Sequence, residues 1–185
     1  MRKVIVNLAI SLDGRIADAN NQFDWIHGDG NLSHNTAGSF DFSEFIKSCD
    51  TLILGKTAYD DLPPGSFELY EVNKNKKMIV LTHSTEASGI DNVEFFNGDL
   101  SLLVKELKEV EGKNIWVFGG ASVCNILIKE DLIDQYIIGM IPVIVGNGMR
   151  LFSDGNPLLE LHLEQYTIEE GIVILIYSRK NRKTE

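Results

Sequence analysis

Positive charge, cysteine and long apolar runs are all scarce in this sequence. Its 185 residues carry 17 Lys and Arg against 27 Asp and Glu, a formal net charge of −10. So acidic a chain is a poor partner for nucleic acid or anionic membranes, which attract clustered positive charge. Its basic cluster, Arg179, Lys180, Arg182 and Lys183, reads as a solvated tail. Cys49 and Cys124 stand far apart with no C-x-x-C or His spacing around them, which excludes a zinc ribbon or disulfide framework and fits a reducing compartment. The N-terminal apolar run, Val4 to Ile10, lacks a small-residue cleavage site and ends well short of the ~18 residues of a membrane span. A soluble, cytoplasmic protein with no membrane or nucleic-acid partner is expected. His27, His34, His83 and His162 have no metal-ligand spacing, and no G-x-S-x-G elbow occurs, so the sequence offers neither a metal site nor a serine nucleophile.

What remains is an ordinary globular composition, 44% hydrophobic and 24% charged, at a length that suits one domain over residues 1–185. Val4 to Ile10, Thr51 to Leu54, Met78 to Leu81, Val93 to Phe96 and Ile115 to Phe118 read as strands. Near-continuous apolar character in the first, third and fifth predicts strands covered on both faces. Helices are expected over Asp41 to Ser48, Lys56 to Leu62, Leu102 to Val110 and Ser122 to Lys129, with Ser101 as an N-cap. After Asp131 the pattern changes: Tyr136 to Val145 reads as a long strand, and Leu161 to Thr167 with Ile172 to Tyr177 as a hairpin. The whole predicts an α/β fold, a mixed sheet with helices on both faces and an antiparallel pair at one edge.

Three strand ends carry residues suited to phosphate. Ile115 to Phe118 runs into Gly119, Gly120, Ala121 and Ser122, where a helix starts at once. Such a junction is either a tight turn or a place where backbone N–H groups and a helix N-terminus meet an anion. Gly55, Lys56 and Thr57 form a second junction; it is not a P-loop, because Asp50 stands where that motif needs glycine. Thr82 and His83 end a third strand. Together they favour an extended, multiply phosphorylated ligand such as a dinucleotide at the carboxyl ends of the sheet. Gly146-Asn147-Gly148 lacks the third glycine of the Rossmann fingerprint and reads as a loop. Asn7, inside the first strand, is a buried amide that either ties down a loop or faces a polar ligand.

The ordered segments N-L-A-I-S-L-D-G-R-I-A, L-G-K-T-A-Y-D, V-L-T-H-S, V-F-G-G-A-S-V and I-P-V-I-V-G-N-G-M-R-L-F resemble the dihydrofolate-reductase superfold. More closely, they resemble the reductase domain of the bifunctional riboflavin-biosynthesis deaminase–reductase and its stand-alone relatives. The resemblance implies a three-layer sandwich on a mixed sheet of about eight strands, often a homodimer, that reduces a pyrimidine or pteridine-type heterocycle with NADPH. It implies that Ala9 and Ile16 line the nicotinamide pocket and that Gly119 to Ser122 hold the pyrophosphate. Lys56, Thr82 and His83 then surround the adenosine 2′-phosphate, with Gly55 and Thr57 beside them. Asn7, Arg15 and Trp25 are the expected substrate contacts. Asp29, in Trp25-Ile26-His27-Gly28-Asp29, is the candidate proton donor, with Asp13 as its competitor and water or a merely solvated loop carboxylate as the alternatives. Phe118 stands where many riboflavin-pathway reductases carry an acid, and Lys56 where the family usually has arginine. The deaminase motifs are absent. Dihydrofolate reductase and a non-catalytic nucleotide-binding module are the alternative readings.

Overall fold

The computed structural model describes residues 1–61, 76–84 and 86–180. In chain order the strands are β1 (Val4–Ser11), β2 (Arg15–Asp18), β3 (Cys49–Gly55), β4 (Lys77–Leu81), β5 (Val93–Phe96), β6 (Asn114–Gly119), β7 (Gln135–Ile141), β8 (Gly148–Arg150), β9 (Leu161–Glu169) and β10 (Ile172–Arg179). Among the described residues the helices are α1 (Phe42–Lys47), α2 (Lys56–Asp60), α3 (Leu100–Glu109) and α4 (Ala121–Lys129). Eight strands form one sheet in the order β5-β4-β3-β6-β1-β7-β10-β9. Its first six members are parallel, and β10 runs antiparallel to both β7 and β9.

Alternation along β3 explains the unbroken apolar runs. Leu52 and Leu54 point to one face and join Trp116, Val80 and Phe45; Ile53 points to the other and joins Ile79, Val117, Val104 and Leu127. All three β3 side chains are fully buried, and each stabilises the fold by about 1.5–3 kcal/mol. α1 thus covers one face, α3 and α4 the other, as the expected fold class requires. No helix among the described residues is long and apolar enough to cross a membrane.

Several local expectations are corrected. Asp99, not Ser101, caps α3: its carboxylate accepts from the N–H groups of Ser101 (2.8 Å) and Leu102 (3.1 Å), because the helix begins two residues earlier than its apolar stripe suggests. The strand expected over Tyr136 to Val145 stops at Ile141, where Pro142 has no N–H to continue the ladder. The segments around Arg15 and Gly148 are not plain turns but a small antiparallel ribbon, β2 with β8. Arg179 is no free tail residue: it ends β10 and pairs with Asp131, while Lys180 faces Glu160 at 3.6 Å. Leu62, Arg182 and Lys183 lie outside the described residues.

Asn125 fixes α4 from within. Its Nδ2 donates to Ala121 O (2.6 Å) and Leu151 O (2.7 Å), and its Oδ1 accepts from Ser153 N (3.0 Å) and Asn156 Nδ2 (2.5 Å). Asn125→Ala strands several buried groups at once and should lower stability by about 2–3 kcal/mol, read as a shift in the urea midpoint. An unchanged midpoint would refute this role.

Candidate active site

Because β1, β3, β4 and β6 are parallel, their carboxyl ends share one rim, and an open cleft of about 1450 Å³ runs along it. Single small-molecule pockets usually enclose about 300–1,000 Å³, so this one has room for two ligands side by side. From β4 to β10 is five inter-strand steps, about 24 Å at a spacing of about 4.8 Å.

The two glycine junctions meet at its middle. A Cβ placed on Gly55 would lie 3.5 Å from Val123 Cγ2 and 3.9 Å from Gly120 N, so the β3–α2 turn rests on the β6–α4 turn. Gly119 has φ +126°, a conformation that side chains rarely adopt, and its peptide to Gly120 is cis. Gly120 is the N-cap of the nine-residue α4 and makes no side-chain capping bond, leaving the first-turn amides for another acceptor. A Cβ on Gly120 would meet no protein atom within 4 Å; the space above it is the cleft.

Most of the expected site residues converge here. Asn7, Ala9, Ile16, Gly55, Lys56, Thr57, Thr82, His83, Gly119, Gly120, Ala121 and Ser122 all line the cleft. Lys56 Nζ is held by Asp60, at 2.7 Å from Oδ2, and lies 5.5 Å from the Phe95 ring centre, which places it at the β4–β5 end. The opposite end contains what the sequence reading missed, an aromatic wall of Phe40, Phe42, Trp116 and Phe118. Trp116 stands edge-on to Phe42 (5.8 Å, 85°) and Phe118 (5.4 Å, 71°). The pair Phe40 and Phe42, on either side of the Asp41 that caps α1, was the available signal. Ile172 and Ile174 of β10 close the same end.

Asp13, Arg15, Trp25 and Asp29 do not line the cleft. Asp29 folds instead against the β9–β10 turn: its N–H donates to Glu170 O (2.8 Å) and its carboxylate accepts from Asn31 N (2.8 Å). Trp25 Nε1 donates to Gln22 O at 3.2 Å. Arg15 donates to Gly148 O (2.8 Å), bracing the β2–β8 ribbon. Asp13 accepts from Ser11 Oγ (2.6 Å), Val145 N (3.0 Å) and Gly146 N (2.8 Å), so it ties the turn after β1 to the loop after β7. The Ser11 hydroxyl, with the Val145 amide next, holds its carboxyl well below the usual carboxylate range. Such a group is ionised at neutral pH and has no proton to give.

A depressed folded-state pKa means that the Asp13 contacts stabilise the fold above the ordinary value of 3.8 and are lost as pH falls below it. Asp13→Asn should therefore unfold at lower urea than the parent at pH 7, and the gap should close as pH is lowered towards 2. A gap that stays constant across that range contradicts the assignment.

Comparison with known proteins adds a family. The profile of the RibD C-terminal domain matches residues 2–174. The uncharacterized protein YwjB of Bacillus subtilis is 33% identical over 167 residues, 88% of this chain and 90% of its own. Among solved structures, a putative riboflavin biosynthesis protein from Shewanella sp. PV-4 is 26% identical with a TM-score of 0.77, covering 97% of this chain and 99% of its own. The reductase-bearing deaminase/reductase of Thermotoga maritima shares the fold at a TM-score of 0.69 and 20% identity; this chain spans 57% of its length. With the profile matched over residues 2–174, nearly the whole length, the chain belongs to the RibD C-terminal domain family.

Proposed function

We propose that the chain is an NADPH-dependent reductase of a small heterocyclic substrate of the pyrimidine or pteridine type. One observation carries the reading: the uncapped start of α4, with Gly120 leaving open space above it, faces a cleft long enough for a dinucleotide. The residues present fit that group. The amides of Gly119 to Ser122 suit the pyrophosphate, as backbone N–H groups at a helix N-terminus do. Lys56, Thr82 and His83 gather at the end suited to the adenosine 2′-phosphate. Ala9 and Ile16 supply the apolar wall for the nicotinamide. When bound, NADPH supplies the hydride that reduces an unsaturated bond of the substrate.

The chain's own part is to align the two ligands. Ile16, Phe23, Ile26 and Met149 add apolar lining to the cleft, and Asn21 Nδ2 donates to Asp61 Oδ2 at 2.8 Å, linking the loop after β2 to the end of α2. With Asp13 and Asp29 bound elsewhere, we assign the proton to water admitted at this rim.

The resemblance also implies self-association, and we place it on the β9–β10 face. Leu175 and Tyr177 continue the face that α3 and α4 cover, but their β9 neighbours Tyr166 and Leu163 are 57% and 44% exposed. An apolar edge of this kind is normally covered. Tyr166→Glu should convert a two-chain particle into a one-chain particle by light scattering; a parent that scatters as one chain rules the dimer out.

Two substitutions test the cofactor. Gly120→Ala adds a methyl group only to the cleft, so it should weaken NADPH binding about tenfold with little change in stability. Lys56→Ala should remove most of any preference for NADPH over NADH in titrations followed by tryptophan quenching. Equal affinity for both coenzymes in the parent chain would defeat the 2′-phosphate assignment.

A further inference from the structure

The two ends of the cleft differ in charge. Among its described lining residues the charged side chains are Lys56, which opens α2, and Asp61, which follows it. The other end, over β6, β1, β7 and β10, is lined by Asn7, Phe40, Phe42, Trp116, Phe118 and Ile174, and by no described cation. Its surroundings are acidic. Asp41 caps α1 with its own carboxylate, accepting from Glu44 N (2.9 Å), and Glu169 Oε1 accepts from Phe40 N (2.6 Å). The helix N-terminus nearest the aromatic wall is therefore already filled by an anion. A phosphate brought here would lose its water and meet like charge.

The wall suits something else. Trp116, itself buried, packs edge-on against Phe42, Phe45 and Phe118 and so backs a rigid apolar surface on which Phe40, Phe42 and Phe118 meet the cleft and a flat ring can stack. On the floor, Asn7 Nδ2 is buried and has no hydrogen-bond partner among the described residues. Asn7 lines the cleft, and a side-chain rotation that turns this amide towards a ring carbonyl or ring nitrogen would satisfy the donor.

We infer that the substrate half of this site takes a neutral, planar heteroaromatic ring that carries no phosphate, stacked on the aromatic wall and hydrogen-bonded by Asn7. The inference rests on the proposal that the Lys56 end takes NADPH, and it parts from the phosphoribosyl substrate named for the Thermotoga maritima relative.

Calorimetry on the full chain tests it with a matched pair of probes, 5-amino-6-ribosylaminouracil and its 5′-phosphate. Each is titrated into the chain alone and into the chain saturated with NADP⁺, which prevents turnover. The phosphate-free compound should bind at least tenfold more tightly than the phosphate; equal or tighter binding of the phosphate overturns the inference. NADP⁺ is first titrated alone: absence of binding refutes the cofactor reading, while the probe pair on the bare chain still decides the substrate. Asn7→Asp, equal in shape but without the donor, should weaken the phosphate-free probe tenfold or more and leave NADP⁺ affinity unchanged. Unaltered probe affinity in that variant removes Asn7 from the site.

Discussion

Parallel pairing of β1 with β6 and of β3 with β4 and β6 is the constraint from which the rest follows. Each parallel strand must be followed by a crossover, so the loops leaving β1, β3, β4 and β6 all start from the same rim. Stretches as distant in sequence as Gly55 and Gly120 come to rest against one another for that reason alone. The strands can hold that rim in place because both of their faces are buried, by α1 on one side and by α3 and α4 on the other.

What the sequence disclosed was what this constraint makes local. A Val- and Ile-rich run ending in glycine and followed at once by a helix is readable from a dozen consecutive residues, and Gly55 and Gly119 with Gly120 were found that way. Side chains that cross between elements were not. Asp13 looks like a free acid in sequence because nothing nearby shows that the distant Val145 and Gly146 N–H groups donate to its oxygens. The β2–β8 ribbon joins strands of four and three residues that lie far apart in the chain, too short to leave a period. The aromatic wall was hidden for a similar reason: Phe42 opens α1, Phe118 lies in β6, and only the folded sheet sets them around Trp116.

The same geometry divides the cleft chemically. Strand order places α2, with Lys56, over the β4–β5 side, while the antiparallel β10 brings Ile172 and Ile174 to the far side. A ligand spanning both would meet hydrogen-bond donors at one end and ring faces at the other. The asymmetry belongs to the sheet, since moving either character to the opposite end would require a different strand order.

An anionic coenzyme of the kind proposed would need attraction that a net charge of −10 does not supply. Fixed dipoles answer that need without adding cations: the open amides at the start of α4 act at short range, where the distant carboxylates are screened. Lys56 completes the arrangement because its existing partner is a weak competitor. The Lys56–Asp60 pair is half-exposed and four residues apart on one short helix, a kind of contact worth about 0.3–0.5 kcal/mol. A coenzyme phosphate of the kind proposed, with two full charges, would therefore displace Asp60 at small expense.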